Sequence, residues 1–230
     1  MTVPDIDELR EKAREVDRRL TRAFGIEMPP AGERRDMIHE LVHAVLSQNT
    51  HRRNYNLAYD RLMKAFPSME DLGRAPVDRV EEVIRPGGLS RQKSAAIKEI
   101  LSIVRERRGD YSLEFVRDMS VPEAREYLTG LPGVGPKTAS VVLMFADGRE
   151  VLPVDTHVLR TSRRLGLIRD KSTAEAAESR LEEIVRPSRR AAMHLNLVHL
   201  GREVCHARNP SHEACPVNTV CDFFIAGRTR

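Results

Sequence analysis

Apolar residues recur along this chain at the three- and four-residue spacing of amphipathic helices, and this periodicity constrains the fold more than any other feature. Three stripes show it most clearly: Leu9, Ala13, Val16 and Leu20; Ile38, Leu41, Val42 and Val45; and Ile97, Ile100, Leu101 and Val104. Turns rich in glycine and proline separate the stripes, and no segment alternates polar and apolar residues as a strand would. The sequence therefore predicts an all-α protein.

Two Ser-x-x-Glu pairs predict where further helices begin. Ser120 precedes Glu123, and Ser172 precedes Glu175, at the spacing of a capping box. We therefore expect Ser120 and Ser172 to be the N-cap residues of two helices.

The length and composition narrow the class of protein. A chain of 230 residues can bury the core of one large or two small domains. No apolar run approaches the roughly 20 residues that cross a bilayer, and the N-terminus lacks an apolar signal core. The sequence predicts a soluble intracellular protein that does not bind a membrane.

The charge balance is compatible with a phosphate-bearing partner. Lysines and arginines number 38 against 34 acidic residues, the net charge is +4, and 32 of the basic residues are arginine. The guanidinium fork suits phosphate, although base composition of the genome also produces such a bias. Arg186, Arg189, Arg190, Arg202 and Arg208 form the most basic segment. Its two interpretations are a solvated helix face and a surface that follows DNA phosphates.

The most informative segment is LPGVGPKTA at residues 131–139, where two glycines stand between two predicted helices. Gly133 and Gly135 permit unusual backbone angles and leave backbone N–H groups unobstructed for an anion near a helix N-terminus. A nucleotide-binding P-loop is excluded, because Pro136 stands where that motif requires lysine. An ordinary tight connection with a solvated Lys137 is the simpler alternative.

Segments elsewhere in the chain add to the signal of the glycine turn. The segment VDTHV at 154–158 follows, with Asp155 placed 18 residues after Lys137. Together the two segments resemble the helix-hairpin-helix and Gly/Pro–Asp signature of the endonuclease III family of DNA repair glycosylases. LSQNT at 46–50 and GLSRQK at 88–93 resemble two further loops of that family.

The resemblance implies the roles of several residues. Lys137 matches the lysine that displaces a damaged base and forms a Schiff base, and Asp155 matches the aspartate that takes its proton or stabilises the oxocarbenium charge. Asp155 is also a typical helix N-cap, a role compatible with catalysis. Residues that match DNA-contacting positions are Gln48, Leu89, Gly133, Gly135 and Thr138, of which Gln48 and Leu89 would fill the gap that a flipped base leaves.

The only three cysteines, Cys205, Cys215 and Cys221, lie near the C-terminus with His212 between the first two. An odd, clustered set is a poor disulfide framework and a better metal site. Relatives with an iron–sulfur loop have four cysteines at this spacing, and His212 occupies the second position. The resemblance implies a 4Fe–4S cluster with His212 as a ligand; an incomplete cluster, zinc and no metal remain alternatives, with His206 as a substitute ligand.

The resemblance also implies the architecture and the activity. A six-helix barrel at 28–149 would contain the helix-hairpin-helix at about 124–145, and residues 1–27 with 150–230 would form a second helical lobe that carries the cluster. Lys137 and Asp155 would face each other across a cleft that holds DNA. We expect a monomeric, cytoplasmic and nucleoid-associated enzyme that excises oxidised pyrimidines from double-stranded DNA and cleaves abasic sites. The alternatives are a mismatch or oxidised-purine glycosylase and a non-catalytic DNA-binding module.

Overall fold

The computed structural model describes residues 5–30 and 33–227. Every regular element in these ranges is helical, which confirms the all-α prediction. The α-helices are α1 (Ile6–Phe24), α2 (Met37–Ser47), α3 (Arg52–Ala65), α4 (Met69–Arg74), α5 (Val77–Ile84), α6 (Ser90–Arg108), α7 (Val121–Thr129), α8 (Pro136–Val142), α9 (Thr156–Leu165), α10 (Ala174–Ile184), α11 (Arg190–Glu203) and α12 (Asp222–Ile225). None of these helices is long and apolar enough to cross a membrane.

The chain forms two compact units. One runs from Ala31 to Arg149 and is called the hairpin unit below. The other combines the residues up to Pro30 with those from Glu150 onward and is called the cysteine unit. Residues 1–4, 31–32 and 228–230, which the predicted lobes include, lie outside the described residues.

Helix α2 lies at the centre of the hairpin unit, where it contacts α3, α6 and α8. It is apolar on nearly every side, and its buried residues include Met37, Ile38, Leu41, Val42, Ala44, Val45 and Leu46. Helix α8 is equally apolar and continues into a π-helical turn at Leu143–Asp147. The hydrophobic effect therefore fixes the C-terminal end of α2 and the start of α8 in one packed core.

Helices α1, α9, α10 and α11 build the core of the cysteine unit. The predicted stripe Leu9, Ala13, Val16 and Leu20 is buried within it. Helix α9 packs on α11 at Gly201, where an added Cβ would lie 2.8 Å from the Cβ of His157. This close approach brings the start of α9 and the end of α11 together, and the cysteine segment follows α11.

One of the two capping predictions is confirmed and the other is wrong by one residue. At the start of α7, the Ser120 amide donates to the Glu123 carboxylate at 2.8 Å, and the Ser120 hydroxyl oxygen accepts the Glu123 amide. Helix α10 is capped instead by Thr173, whose hydroxyl accepts the amide of Ala176 at 3.2 Å. Ser172 closes the preceding turn, because its amide donates to the Arg169 carbonyl.

Candidate functional site

The glycine turn joins α7 to α8 in the hairpin unit, at the position that the sequence predicts. Leu131 and Val134 are buried and anchor the turn, whereas Gly133 and Gly135 are exposed. Gly133 has a φ of +72°, a left-handed conformation that glycine adopts without steric cost. In the hydrogen bonds of the described residues, neither Gly133 nor Gly135 donates its amide to a backbone carbonyl. Two accessible N–H donors at such a turn are suited to binding an anion.

Lys137 is the second residue of α8 and is half-buried. Pro136 starts the helix, where its fixed φ is favourable and its missing N–H has no intrahelical partner to lose. The following residues, Thr138 and Ala139, are buried. The backbone that carries Lys137 is therefore held on both sides, by the turn and by the core.

Gln48 lies directly after α2 and contacts the glycine turn. Its Nε2 donates to the Gly133 carbonyl at 2.9 Å and to the Thr138 hydroxyl at 3.2 Å. The structure thus brings together three residues that the sequence assigns to DNA binding. Sequence analysis did not predict this contact, because 85 residues separate Gln48 from Gly133.

Leu89 lies between the 3-10 turn Arg85–Gly87 and α6. Its side chain is 53% exposed, which is unusual for a large apolar residue. Its φ of +50° and ψ of +32° place it in the left-handed region, which is strained for a residue with a Cβ. An exposed apolar side chain on a strained backbone is a common feature of functional positions.

Asp155 is the N-cap of α9 in the cysteine unit. Its Oδ1 accepts the amides of His157 and Val158, both at 2.8 Å. Buried residues on either side, Val154 and Val158, fix its backbone. The cap engages Oδ1 and so fixes the orientation of the carboxylate.

The cysteine segment folds back on α9, so that Cys205, His212, Cys215 and Cys221 line one small pocket. Among the described residues, no three His, Cys, Asp or Glu side chains are grouped as they would be around a single metal ion. The pocket nonetheless gathers all four residues that the sequence singles out, although His212 and Cys221 come from turns nine residues apart. Three sulfur donors and one imidazole are the donor types that iron–sulfur centres use.

His212 supplies the strongest indication of a ligand at this pocket. Its Nε2 is buried and makes no hydrogen bond with the part of the chain that the structure describes, and such buried polar atoms are rare in folded proteins. The ring packs against Phe223 and Phe224, with centroid distances of 6.0 and 5.0 Å. Its backbone carbonyl accepts the Asn218 side chain at 3.1 Å, which fixes the turn. The imidazole nitrogen is therefore a buried polar atom whose ring and backbone are both held in place.

Arg164, at the end of α9, is a residue of this pocket that sequence analysis missed. Its guanidinium donates to Cys205 Sγ at 3.3 Å and to the carbonyls of His206 and Ala207 at 2.6 and 3.0 Å. The Cys221 thiol in turn donates to the Arg164 carbonyl at 3.2 Å. The Arg164 guanidinium therefore fixes the Cys205 side chain and the backbone of the two residues that follow it.

Burial opposes ionisation of two of the cysteines, Cys215 and Cys221. It raises the pKa of the Cys215 thiol to about 11 and also raises the pKa of Cys221. Because a metal binds the thiolate, its binding releases protons from these thiols, and its affinity therefore falls as the pH falls.

Two arginines of the predicted basic surface are engaged inside the cysteine unit. Arg189 donates to both carboxylate oxygens of Asp17, at 2.8 and 3.1 Å, and to Thr21. Arg190 donates to three backbone carbonyls, among them that of Glu150 at 2.6 Å. These two guanidinium groups stabilise the fold through internal hydrogen bonds, and the interpretation of the basic segment as a surface that follows DNA phosphates stays a prediction.

Family models match both of the segments described above. The model of the HhH-GPD superfamily of base excision DNA repair proteins matches residues 42–187, and that of the iron–sulfur binding domain of endonuclease III matches residues 205–221. The chain belongs to the endonuclease III family. The resemblance inferred from the hairpin motif is thereby confirmed, and the match at 205–221 supports an iron–sulfur cluster on the cysteines.

Relatives and solved structures agree with this assignment. Endonuclease III of Thermotoga maritima is 32% identical over 94% of this chain and 93% of its own length. Endonuclease III of Bacillus subtilis is 34% identical over 70% of this chain and 69% of its own length. A non-covalent endonuclease III–DNA complex matches 95% of this chain and 97% of its own, with 28% identity and a TM-score of 0.79. A trapped endonuclease III–DNA covalent intermediate matches with the same identity and TM-score over 95% of this chain.

Proposed function

We propose that this member of the endonuclease III family is a bifunctional DNA glycosylase and AP lyase that excises oxidised pyrimidines. The observation that carries the proposal is the position of Lys137, a primary amine two residues after the exposed amide of Gly135. An anion bound by the turn amides would be a DNA phosphate, and the adjacent amine would then lie near the sugar of that strand.

Lys137 would act as the nucleophile. Its unprotonated Nζ attacks C1′ of the damaged nucleotide, the bond between C1′ and the base breaks, and the base leaves with the electron pair. The C1′–O4′ bond then breaks as an Nζ proton is transferred to O4′, which opens the sugar and leaves a Schiff base between C1′ and Nζ. Removal of a proton from C2′ then expels the 3′ phosphate, so that β-elimination cleaves the strand.

Asp155 would assist the first step. Its cap fixes Oδ1, and the remaining oxygen Oδ2 either accepts a proton from the Lys137 amine or stabilises the positive charge that develops on the sugar. A carboxylate whose orientation is fixed before the substrate arrives does not have to reorganise during the reaction.

The substrate would be double-stranded DNA with a damaged base or an abasic site, bound by a monomer. The DNA phosphates would be bound by Gly133, Gly135 and Thr138. Gln48 and the exposed Leu89 would occupy the space that the flipped nucleotide leaves, which offsets part of the cost of unstacking, about a few kcal/mol.

The proposed function is tested by trapping the covalent intermediate. Duplexes that carry one oxidised pyrimidine, one abasic site or no lesion are incubated with the protein and borohydride, which reduces a Schiff base to a stable amine. We expect a covalent adduct and strand cleavage with the first two duplexes, because an imine forms only after C1′ is freed from its base.

The undamaged duplex is the matched control and should give no adduct. Base release without an adduct would indicate a monofunctional glycosylase. Binding to all three duplexes without base release or cleavage would indicate a non-catalytic DNA-binding module, and either result would overturn the proposal.

We propose further that the cofactor is a 4Fe–4S cluster held by Cys205, Cys215, Cys221 and His212. The proposal is supported by the shared pocket and by the buried, unbonded Nε2 of His212. When bound, the cluster supplies cross-links between the turns that carry its ligands, and so stabilises the cysteine segment. The guanidinium of Arg164 would partly neutralise the cluster thiolates.

Analysis of iron, sulfide and zinc in the purified protein tests this ligand set. We expect four irons and four sulfides per chain in the wild-type protein and a marked loss of both in His212→Ala. His212→Cys should retain the cluster with a lower reduction potential, because imidazole ligation raises the potential relative to thiolate.

His206→Ala is the matched control, since His206 is an exposed histidine in the same segment. It should leave the iron content and the potential unchanged. Finding zinc without sulfide would indicate a tetrahedral Cys3His zinc site in place of the cluster. An unchanged iron content and reduction potential in His212→Ala would show that His212 is not a ligand.

A further inference from the structure

Lys93 lies at the point where the two loops with predicted DNA-inserting residues meet in the hairpin unit. The Gln48 loop comprises residues 47–50, and the Leu89 turn comprises residues 85–89. Helix α3, which follows the Gln48 loop, packs on the Leu89 turn. Lys93, in the first turn of α6, contacts both loops.

The Lys93 side chain is 3% exposed, and its ammonium is surrounded by acceptors from these loops. Nζ donates to the Leu46 carbonyl at 2.6 Å and to the Thr50 hydroxyl at 2.5 Å, where the Gln48 loop begins and ends. It also donates to the Gly87 carbonyl in the Leu89 turn at 3.0 Å. An ammonium has three hydrogens, and each of them has an acceptor here.

Thr50 provides a second link between the same two loops. Its hydroxyl lies 3.0 Å from the Gln48 carbonyl and 2.7 Å from the Gly87 carbonyl, so that it donates across the gap while accepting from Lys93. The hydrogen bonds of Lys93 and Thr50 therefore form one network that includes both loops.

The Leu89 turn is strained where this network holds it. Leu89 has a φ of +50°, which is unfavourable for a residue with a Cβ, and Asn49 has the same φ, which asparagine adopts more readily. Each lies within two residues of a carbonyl or hydroxyl that Lys93 or Thr50 binds. A conformation of this kind persists only where its surroundings enforce it, and the network supplies that constraint.

A buried lysine is costly, and packing alone does not account for one at this position. Burial lowers the pKa of Lys93 to about 8, which still leaves the ammonium largely protonated at neutral pH. All three donors are therefore retained. Methionine would occupy a similar volume in this pocket without any of the donors.

We propose that Lys93 is a positioning residue which, with Thr50, fixes the Gln48 loop to the Leu89 turn so that both inserting side chains enter the duplex together. The inference rests on the proposed function. It assigns to Lys93 an effect on base extrusion and none on the chemistry that follows.

Two substrates separate an effect on base extrusion from an effect on the chemistry that follows. One is a duplex with a paired oxidised pyrimidine, which must be flipped, and the other is a single-stranded oligonucleotide with an abasic site, which need not be. In single-turnover experiments, Lys93→Met should release the base at least about tenfold more slowly from the duplex. Adduct formation on the single strand should change less than about twofold.

Lys98→Met is the matched control. Lys98 lies on the same helix, and its Nζ also donates to two backbone carbonyls, those of Leu72 at 3.1 Å and of Gly73. Burial lowers the pKa of this lysine too. Because its acceptors lie outside both loops, Lys98→Met should keep near wild-type rates on both substrates.

Thr50 keeps the proposal testable if Lys93→Met does not fold. Thr50→Val removes the hydroxyl at nearly constant volume and should reproduce the defect on the duplex, whereas Thr50→Ser retains the hydroxyl and should largely restore the rate.

A double-mutant cycle gives a third test. If Lys93 acts through Leu89, adding Lys93→Met to Leu89→Ala should cause little further loss.

Equal slowing on both substrates, full additivity with Leu89→Ala, or equal effects of Lys93→Met and Lys98→Met would each overturn the positioning role. These results differ from failure of the proposed function, in which the wild-type protein itself would release no base and form no adduct.

Discussion

Lys137→Gln should form no borohydride-trapped adduct and should release base roughly 10³-fold or more slowly than wild type. Glutamine is uncharged, is not nucleophilic and is close to lysine in helix propensity, so the substitution removes the amine without disturbing α8. The glycine turn and Thr138 stay intact, and affinity for duplex DNA should fall only modestly. Adduct yield, single-turnover base release and binding affinity, measured on the same lesion duplex, check this expectation.

Lys171→Gln is the control for loss of one positive charge, because Lys171 is exposed and belongs to the cysteine unit. It should trap as efficiently as wild type. An adduct of wild-type yield in Lys137→Gln would assign the nucleophile to another amine. Loss of adduct together with loss of all DNA binding would indicate instead that Lys137 contributes to binding.

Asp155→Asn should slow base release by roughly 10²–10³-fold while leaving the protein almost as stable as wild type. Asparagine caps a helix about as well as aspartate, so its side-chain oxygen can still accept the amides of His157 and Val158. What the substitution removes is the negative charge and the proton acceptor. Binding to an uncleavable lesion duplex should be largely retained.

Asp155→Ala separates capping from catalysis. It lacks both the charge and the cap, and should lose about 1 kcal/mol of stability in addition to the activity. Thermal unfolding and single-turnover base release, measured on both variants, distinguish the two contributions. If Asp155→Asn releases base at the wild-type rate and only Asp155→Ala is slow, then the residue acts through the helix cap alone.

Local features of the structure were predictable from the sequence, because neighbouring residues determine them. The stripe from Leu9 to Leu20 is the buried face of α1, and Ser120 with Glu123 caps α7. The hairpin forms around Gly133 and Gly135 as predicted. In each case the signal is a residue type at a fixed offset, which acts through backbone geometry within one or two turns.

Predictions about side chains that form hydrogen bonds elsewhere in the chain were less successful. Counting arginines could not reveal that Arg189 binds Asp17, 172 residues earlier in the chain. The cap of α10 is Thr173 and not Ser172, since a turn closed by Arg169 determines which hydroxyl faces the helix. Residue type alone does not indicate which of two adjacent residues already forms a hydrogen bond in the preceding turn.

The sequence by itself indicated that the chain is helical and where its hairpin lies, and it singled out the three cysteines and the histidine that line one pocket. Only the tertiary structure decided that Lys93 joins two loops, that Arg164 contacts Cys205, and that the His212 Nε2 is buried without a partner. The physical reason is the range of the forces involved. Backbone angles, capping and helical periodicity act over a few residues, whereas burial and long-range hydrogen bonds exist only after distant segments have packed together.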